Sequence, residues 1–596
     1  MASSVREASV QKAGKTPDSC GSVGDFFDQN TISESEDHDG SPHFGSERED
    51  SANRPGSSRA VRRVSTSLGQ DSIPPAQQRV HFCPKRAPGA HLGIALRSGA
   101  AEFGRALDFF QLFFTTEVIN KICESTNKYA WRHILEKSAY AEKDGSWKEV
   151  TVEEMTKFIG ILIYMGIVEL PRLHLFWNSG SLFSGLLPPK VMTRSRFFAL
   201  LGMFHVSDPD ADNVAAGGKL DEVLWLLQHT NDTSTRFFQP HRDLSIDERM
   251  VTSKARPGIR QHARDMLTKR GYRLWILADS QTGYTVQFSV YKGRREMPST
   301  NGLAFDVVTG LCRDYLDQGY TIFMDNFYTS TPLFKHLLER GTFACGTTRK
   351  DRRGFPPELK DAGWERDADR GDVRWLREHN VLYLQWKDRH VVNLMSTAHT
   401  ANEHVPAKHR EKKGDEWTEV TVKKPLVIAE HSRGMAGADK SGQLIGSYDI
   451  LIRCVRWWKT LFFRCVDIAA ANSFLLFQEH RKQHPELPQL SRPSRYDQLA
   501  FRIELVQQLV GLAAAAVDVD VKPAPKPPAS RGAVRSWRAA QSHRPERLKK
   551  RCNCKMCYEK TKVERKTNVF CKACCVHLCF TSSRNCFADW HGRQEP

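Results

Sequence analysis

Cys554 and Cys557 form one Cys-x-x-Cys pair and Cys571 and Cys574 a second, and Cys579, Cys586 and His591 continue the series. Two thiolates at that spacing reach one tetrahedral ion, and two such pairs separated by a basic loop are a zinc pattern. Cys20, Cys83, Cys123, Cys312, Cys345, Cys454 and Cys465 are scattered, whereas the remaining eight of the 15 cysteines crowd between Cys552 and Cys586. Seven well-placed ligands predict two structural Zn²⁺ ions in a cross-braced arrangement, with Cys552, Cys575 or His577 left open as the eighth. So short a segment cannot bury an adequate core unaided, so the metal supplies folding energy.

A second chemistry would run on carboxylates. Phosphodiester hydrolysis and transfer use two divalent ions roughly 3.5–4 Å apart, one at the attacking and one at the leaving oxygen. Mg²⁺ and Mn²⁺ prefer carboxylate ligands. The sequence sign is an Asp embedded in, or just past, an apolar strand, where burial without a cation is costly. Asp325 closes the run YTIFM ahead of the polar turn NFYTS. Asp247, after Leu244 and Ile246 in LSIDERMV, is read as opening a strand, and Asp439 as lying in the small-residue turn GMAGADKSGQL. Taken singly, each also suits a turn or an N-cap.

Elements must hold these groups. From about Leu107, FFQLFFTTEVINKICESTNKYAW, VTVEEMTKFIGILIYMGIVEL and VMTRSRFFALLGMFHVSDPD carry apolar residues three and four apart, the mark of helices ending near 240. Thr151 and Glu154 are spaced as a capping box. RLWILADS and YTVQFSVYKG, joined by SQTG, read as a β-hairpin. TIFMDNFYTS adds a strand, FDVVTGLCRDYL and TPLFKHLLER add helices, and NVLYLQWKDRHVVNLMST leans to β. Helical spacing resumes in RWWKTLFFRCVDIAAANSFLLFQEH and YDQLAFRIELVQQLVGLAAAA, and VKPAPKPPASRG reads as a basic, Pro-rich linker.

At 596 residues the chain suggests roughly three or four domains. Its 40% hydrophobic and 10% aromatic content is that of a globular protein, and a net charge of +18 favours a polyanionic partner. The Ser-rich, polar N-terminus carries no secretion pattern, and the longest apolar run, 158–170, falls short of the roughly 18–20 residues a bilayer requires, so neither secretion nor a membrane span is expected.

IDERMV, KRGYRLWILADSQTGY, MDNFYTS, LLERGTFACGTTRKDRRGFP, LYLQWKDRHVVNLMST and GMAGADKSGQL occur in the order and at about the separations found in the piggyBac family of DDE transposases. TNKYAW and FIGILIYMGIVELPRLHLFW before them, and RWWKTLFFRCVDIAAANSFLLF after, continue the match over about 107–480, and it resumes at the terminal cysteines. What the resemblance implies is a multidomain α+β chain with a ribonuclease-H-like core whose metal ligands are Asp247, Asp325 and Asp439, taking Mg²⁺ or Mn²⁺. It implies cutting of transposon ends through hairpinned intermediates, joining to a TTAA target, double-stranded DNA as partner, a homodimer and a nuclear location. The implied layout is a disordered 1–104, a helical dimerisation and DNA-binding domain in two parts (105–240 and 457–515), core segments 241–371 and 431–456 around an insertion 372–430, a linker 516–550, and an end-recognising, cysteine-rich domain 551–596.

The chain also departs from the family. His431 and Ser432 replace a usual Tyr-Asn pair; Ala436 and Ala438 replace Gly and Val; Met266 replaces a Lys; and Gly442 stands where a further acidic residue is common. Phosphate contacts are expected of Lys254, Arg256, Lys269, Arg270 and Arg349 around the core, and of Lys549, Lys550 and Arg551 in RPERLKKRCNCK, which also suits a nuclear import signal. Two other readings stay open: a domesticated, non-cleaving DNA- or chromatin-binding protein and, from the cysteines alone, a zinc-dependent protein-interaction adaptor.

Overall fold

The computed structural model describes residues 71, 80–93, 103–136, 147–210, 220–252, 261–262, 270–293, 299–413, 416–450, 452, 454, 456–512, 545–571, 574, 576–581 and 584–591. The leading helices include α1 (Ala106–Phe110), α2 (Thr116–Glu136), α3 (Val152–Ile167), α4 (Arg194–Met203) and α5 (Asp221–Phe237). Thr151 caps α3 by accepting from Glu154 N at 3.3 Å, but the expected reciprocal bond is absent. Glu154 instead takes both its oxygens to Arg196 at 2.7 Å, because a bidentate guanidinium offers it more than one backbone N–H.

The strands follow as β1 (Asp243–Thr252), β2 (Gln261–His262), β3 (Arg270–Asp279), β4 (Thr285–Val290), β5 (Thr321–Met324), β6 (Phe343–Thr347), β7 (Val373–Glu378), β8 (Val381–Lys387) and β9 (Val391–Ser396). They form one sheet in the order β2-β3-β1-β5-β6-β9-β8-β7, with β4 sharing the outer edge of β3. β3 runs antiparallel to both β4 and β1, and β1, β5 and β6 run parallel. All four residues of β5 are buried, as a parallel strand covered on both faces requires. Helix α6 (Leu303–Cys312) and helix α7 (Thr331–Glu339) flank β5 in sequence. The β-leaning segment after residue 372 thus extends the central sheet through β9 on β6, and only the ribbon β10 (His404–Lys413) with β11 (Glu416–Pro425) stands off it.

Helix α8 (Leu426–Gly446) runs across the expected 430/431 boundary and packs on β1, β3 and β5. Helices α9 (Trp457–Gln483) and α10 (Gln498–Leu509) then return to the N-terminal helices: α9 packs on α5 and α1, α10 on α3 and α1. Aromatic rings fill that layer, with Phe109 against Phe477, Phe204 against Trp458 and Phe462, and Phe474 against Phe501. Fully burying each such ring stabilises by about 1.5–3 kcal/mol. α9 is long and apolar enough to cross a bilayer by length and composition, but 89% of its most apolar window is buried inside the protein, making it the core helix of this layer.

Two expectations fail. Residues 80–93 do not belong to a disordered tail: Gly89–Ala90 pair with Phe238–Gln239, Leu92 is buried, and Arg86 donates to Arg236 O at 2.6 Å and Thr235 O at 2.7 Å. Most of 1–79 and of the Pro-rich linker lies outside the described residues. The basic strip of that linker is a strand, β12 (Pro545–Asn553), which precedes helix α11 (Lys555–Thr561) and pairs with β13 (Lys566–Cys571). β14 (Val576–His577) and helix α12 (Cys586–His591) complete the module.

Candidate metal centre and nucleic-acid surfaces

In the parallel pair β1 and β5, Ile246 lies opposite Met324. Asp247 and Asp325 are the next residues, so they stand side by side on strands about 4.8 Å apart. Asp247 therefore lies inside its strand, four residues past the start at Asp243, rather than opening it. Asp325 heads a turn fixed by Phe327 N donating to its Oδ1 at 2.9 Å and Thr329 Oγ1 donating to its backbone oxygen at 2.8 Å. Arg352 braces the same turn by donating to Asn326 O and Phe327 O at 2.7 Å.

Asp439 lies in the body of α8, not in a turn. The small residues serve close packing: a Cβ on Gly434 would stand 2.3 Å from the Phe323 ring, and one on Gly437 2.3 Å from Ser280 Cα. Ser280 Oγ donates to Gly434 O at 2.8 Å and His431 Nε2 to Met324 O at 2.9 Å, pinning α8 to the ends of β3 and β5. Burial lowers the His431 pKa, so the ring is neutral near pH 7.

Burial raises the carboxyls of Asp247, Asp325 and Glu248 above their ordinary values, and the charges of Asp325 and Asp439 add to the effect at Asp247. Such a cluster is strained without a cation, and the oxygen-only donor set suits a hard divalent ion. Asp247 and Asp325 are partly buried while Asp439 is exposed at the rim. Among the described residues, the sets whose ligand atoms all fall within 4.8 Å of one another lie in the cysteine module, so the aspartates are more widely spread than the thiols. Arg249, Glu248 and Tyr328 were not foreseen here. Arg249 Nη2 donates to Ala438 O at 2.7 Å, and burial lowers its pKa to about 9, leaving it charged at neutral pH. Tyr328 is buried, its phenol pushed well up first by burial and then by these carboxylates.

In the module, Cys554, Cys557, Cys579 and Cys586 converge as one four-thiol set, and Cys571, Cys574 and His591 as a second. Cys557 Sγ lies 3.9 Å from Cys579 Sγ and 3.5 Å from Cys586 Sγ, near the roughly 3.8 Å edge of a tetrahedron with Zn–S of about 2.3 Å. His591 Nδ1 donates to Phe587 O at 2.7 Å, which leaves Nε2, 3.4 Å from Cys571 Sγ and 3.3 Å from Cys574 Sγ, as the ligand atom. The pairs alternate between the two sets, which fits a cross-brace. Cys552 and His577 join neither set, and Cys575 is outside the described residues.

Of the expected phosphate contacts, Lys254, Arg256 and Lys269 lie outside the described residues, as do the side chains of Arg270 and Lys549. Arg270 is placed by its backbone alone, opposite His262. Arg349 is exposed and 3.3 Å from Asp351. Lys550 and Arg551 are exposed on β12, where Arg551 also donates to Lys566 O at 3.2 Å. Trp458 is buried in the helical core and Trp457 packs against it, so neither is offered to a base.

A family model described as Transposase IS4 matches residues 105–474. Human PiggyBac transposable element-derived protein 3 is 26% identical over 385 residues, covering 63% of this chain and 61% of that protein. Human PiggyBac transposable element-derived protein 2 is 27% identical over 380 residues, covering 62% and 60%, and protein 5 of the same human series is 26% identical over 423 residues, covering 68% and 76%. The chain thus spans about three fifths of the length of the first two relatives. The cryo-EM structure of a piggyBac transposase synaptic complex with hairpin DNA shares the fold, with a TM-score of 0.59 at 20% identity, covering 83% of this chain and 98% of that one. With a family model matched over most of its length and relatives of one kind, this chain belongs to the piggyBac family of transposases.

Proposed function

We propose that the chain is a DNA transposase that cuts transposon ends and joins them to TTAA target DNA by metal-dependent phosphodiester chemistry. The observation that carries the reading is the pair Asp247 and Asp325, adjacent on parallel strands, with the Asp439 helix packed across them. Three antiparallel strands followed by two parallel ones in the order β4-β3-β1-β5-β6 support a ribonuclease-H-like core. Asp247 and Asp325 would hold a divalent ion, which activates the attacking oxygen and steadies the leaving one when bound. The exposed Lys550 and Arg551 on a zinc-built module suit contact with DNA phosphates, and the helical layer suits dimerisation and DNA binding. Action on DNA and the basic strip on β12 suit a nuclear location under this reading. Gly442 and Arg249 favour a second reading, a domesticated chain that binds DNA without cutting it.

The test is cleavage of DNA bearing the inverted repeats and TTAA that flank the encoding locus. Metal-dependent nicking and hairpin formation, lost in Asp325→Asn while DNA binding persists, is the expected result. Binding with no cleavage under any divalent ion would favour the second reading.

A further inference from the structure

Arg249 lies beside the carboxylate site. Arg249 is two residues along β1 from Asp247, its Nη2 donates at 2.7 Å to the carbonyl that precedes Asp439, and its charge couples to both aspartates. Gly442, one turn of α8 beyond Asp439, faces this guanidinium: a Cβ there would make ordinary contact at 3.4 Å with Arg249 Nε and 3.7 Å with Cζ. Among the described residues, Nη1 is sealed from solvent and has no hydrogen-bond partner, and the charge of Arg464 opposes the attraction of Asp247 and Asp439 for this cation. A guanidinium is a fixed charge, and a divalent ion brought beside it meets like-charge repulsion.

We infer that Arg249 is a built-in cation standing in for one divalent ion on the Asp439 side of the site, so that the chain takes a single Mg²⁺ or Mn²⁺, on Asp247 and Asp325. The inference rests on the metal-dependent reading proposed above. Asp439 then answers to Arg249 rather than to a second metal, and Gly442 offers a second metal no further carboxylate.

The experiment is a calorimetric titration of the zinc-loaded full chain with Mn²⁺. One ion per chain is expected for the wild type and for Arg249→Lys, which keeps the charge. Arg249→Gln should bind Mn²⁺ about tenfold tighter or more, and Arg249→Gln with Gly442→Asp should take two ions. If Arg249→Gln fails to fold, Gly442→Asp alone decides the matter: its carboxylate meets Arg249, so the count stays at one, and a count of two overturns the inference. Two ions in the wild type, or an Arg249→Gln isotherm identical to it, overturns it as well. Asp325→Asn separates the two claims, because Mn²⁺ stoichiometry unchanged by that substitution overturns the metal-dependent reading itself.

Discussion

Gly437→Ala tests how the third aspartate is positioned. The new methyl carbon would stand 2.3 Å from Ser280 Cα and 2.8 Å from Asp279 O, both backbone atoms of a sheet that cannot yield as a side chain can. Restoring the 3.4 Å at which ordinary contact begins pushes α8 back by roughly 1 Å, the scale of shift that costs about 10²-fold in a positioned reaction. Overpacking of this kind destabilises by about 1–3 kcal/mol. Gly446→Ala is the internal control, since that glycine has nothing within 4 Å; the added methyl should leave activity alone and favour the helix by about 0.5 kcal/mol. Circular dichroism melts and a DNA-nicking assay on the full chain read both effects. A Gly437→Ala protein with the wild-type melting temperature and nicking rate would refute the packing argument.

Glu504 accepts from Arg492, Tyr496 and Ala106 N, joining α10 to the start of α1; burial alone would raise its pKa, but these donors hold it below the usual 4.5. A depressed carboxyl contributes stability above its unfolded pKa and loses it as pH falls through the folded value. Glu504→Gln should therefore cost about 1.5–3 kcal/mol at pH 7 and little in strong acid, and an equal loss at both pH values in denaturation curves would contradict this. Atomic absorption should count two zinc ions per chain, with Cys557→Ser losing one and unfolding the module; an unchanged count would dismiss the four-thiol set. Lys550→Ala combined with Arg551→Ala should lower the slope of log K against log salt for DNA binding by about 2, whereas an unchanged slope would remove β12 from the interface.

Asp325 was legible because an apolar strand ending in Asp and a polar turn is a local pattern, and the sheet places it at that end. Asp439 was misread because GMAGADKSG has turn composition, and only the β3 backbone and the Phe323 ring beneath it reveal why a helix needs glycines there. β12 was hidden for a related reason: RPERLKKRCN lacks strand-forming residues, and its conformation comes from pairing with β13. The cysteine spacing identified both thiol pairs, but not that Cys579 and Cys586 complete the first set and His591 the second, which is a matter of chain path. Arg249 gave no local sign at all, since its hydrogen-bond partner is on α8, 189 residues away.

The most direct test of the central claim needs no DNA. Fe²⁺ bound in place of Mg²⁺, with hydrogen peroxide added as oxidant and ascorbate to re-reduce Fe³⁺, generates hydroxyl radicals that cut the polypeptide where the ion sits. Cuts should map beside Asp247 and Asp325 and fade both with excess Mg²⁺ and in Asp325→Asn. Cuts confined to other segments, or unchanged by that substitution, would show that these aspartates hold no metal.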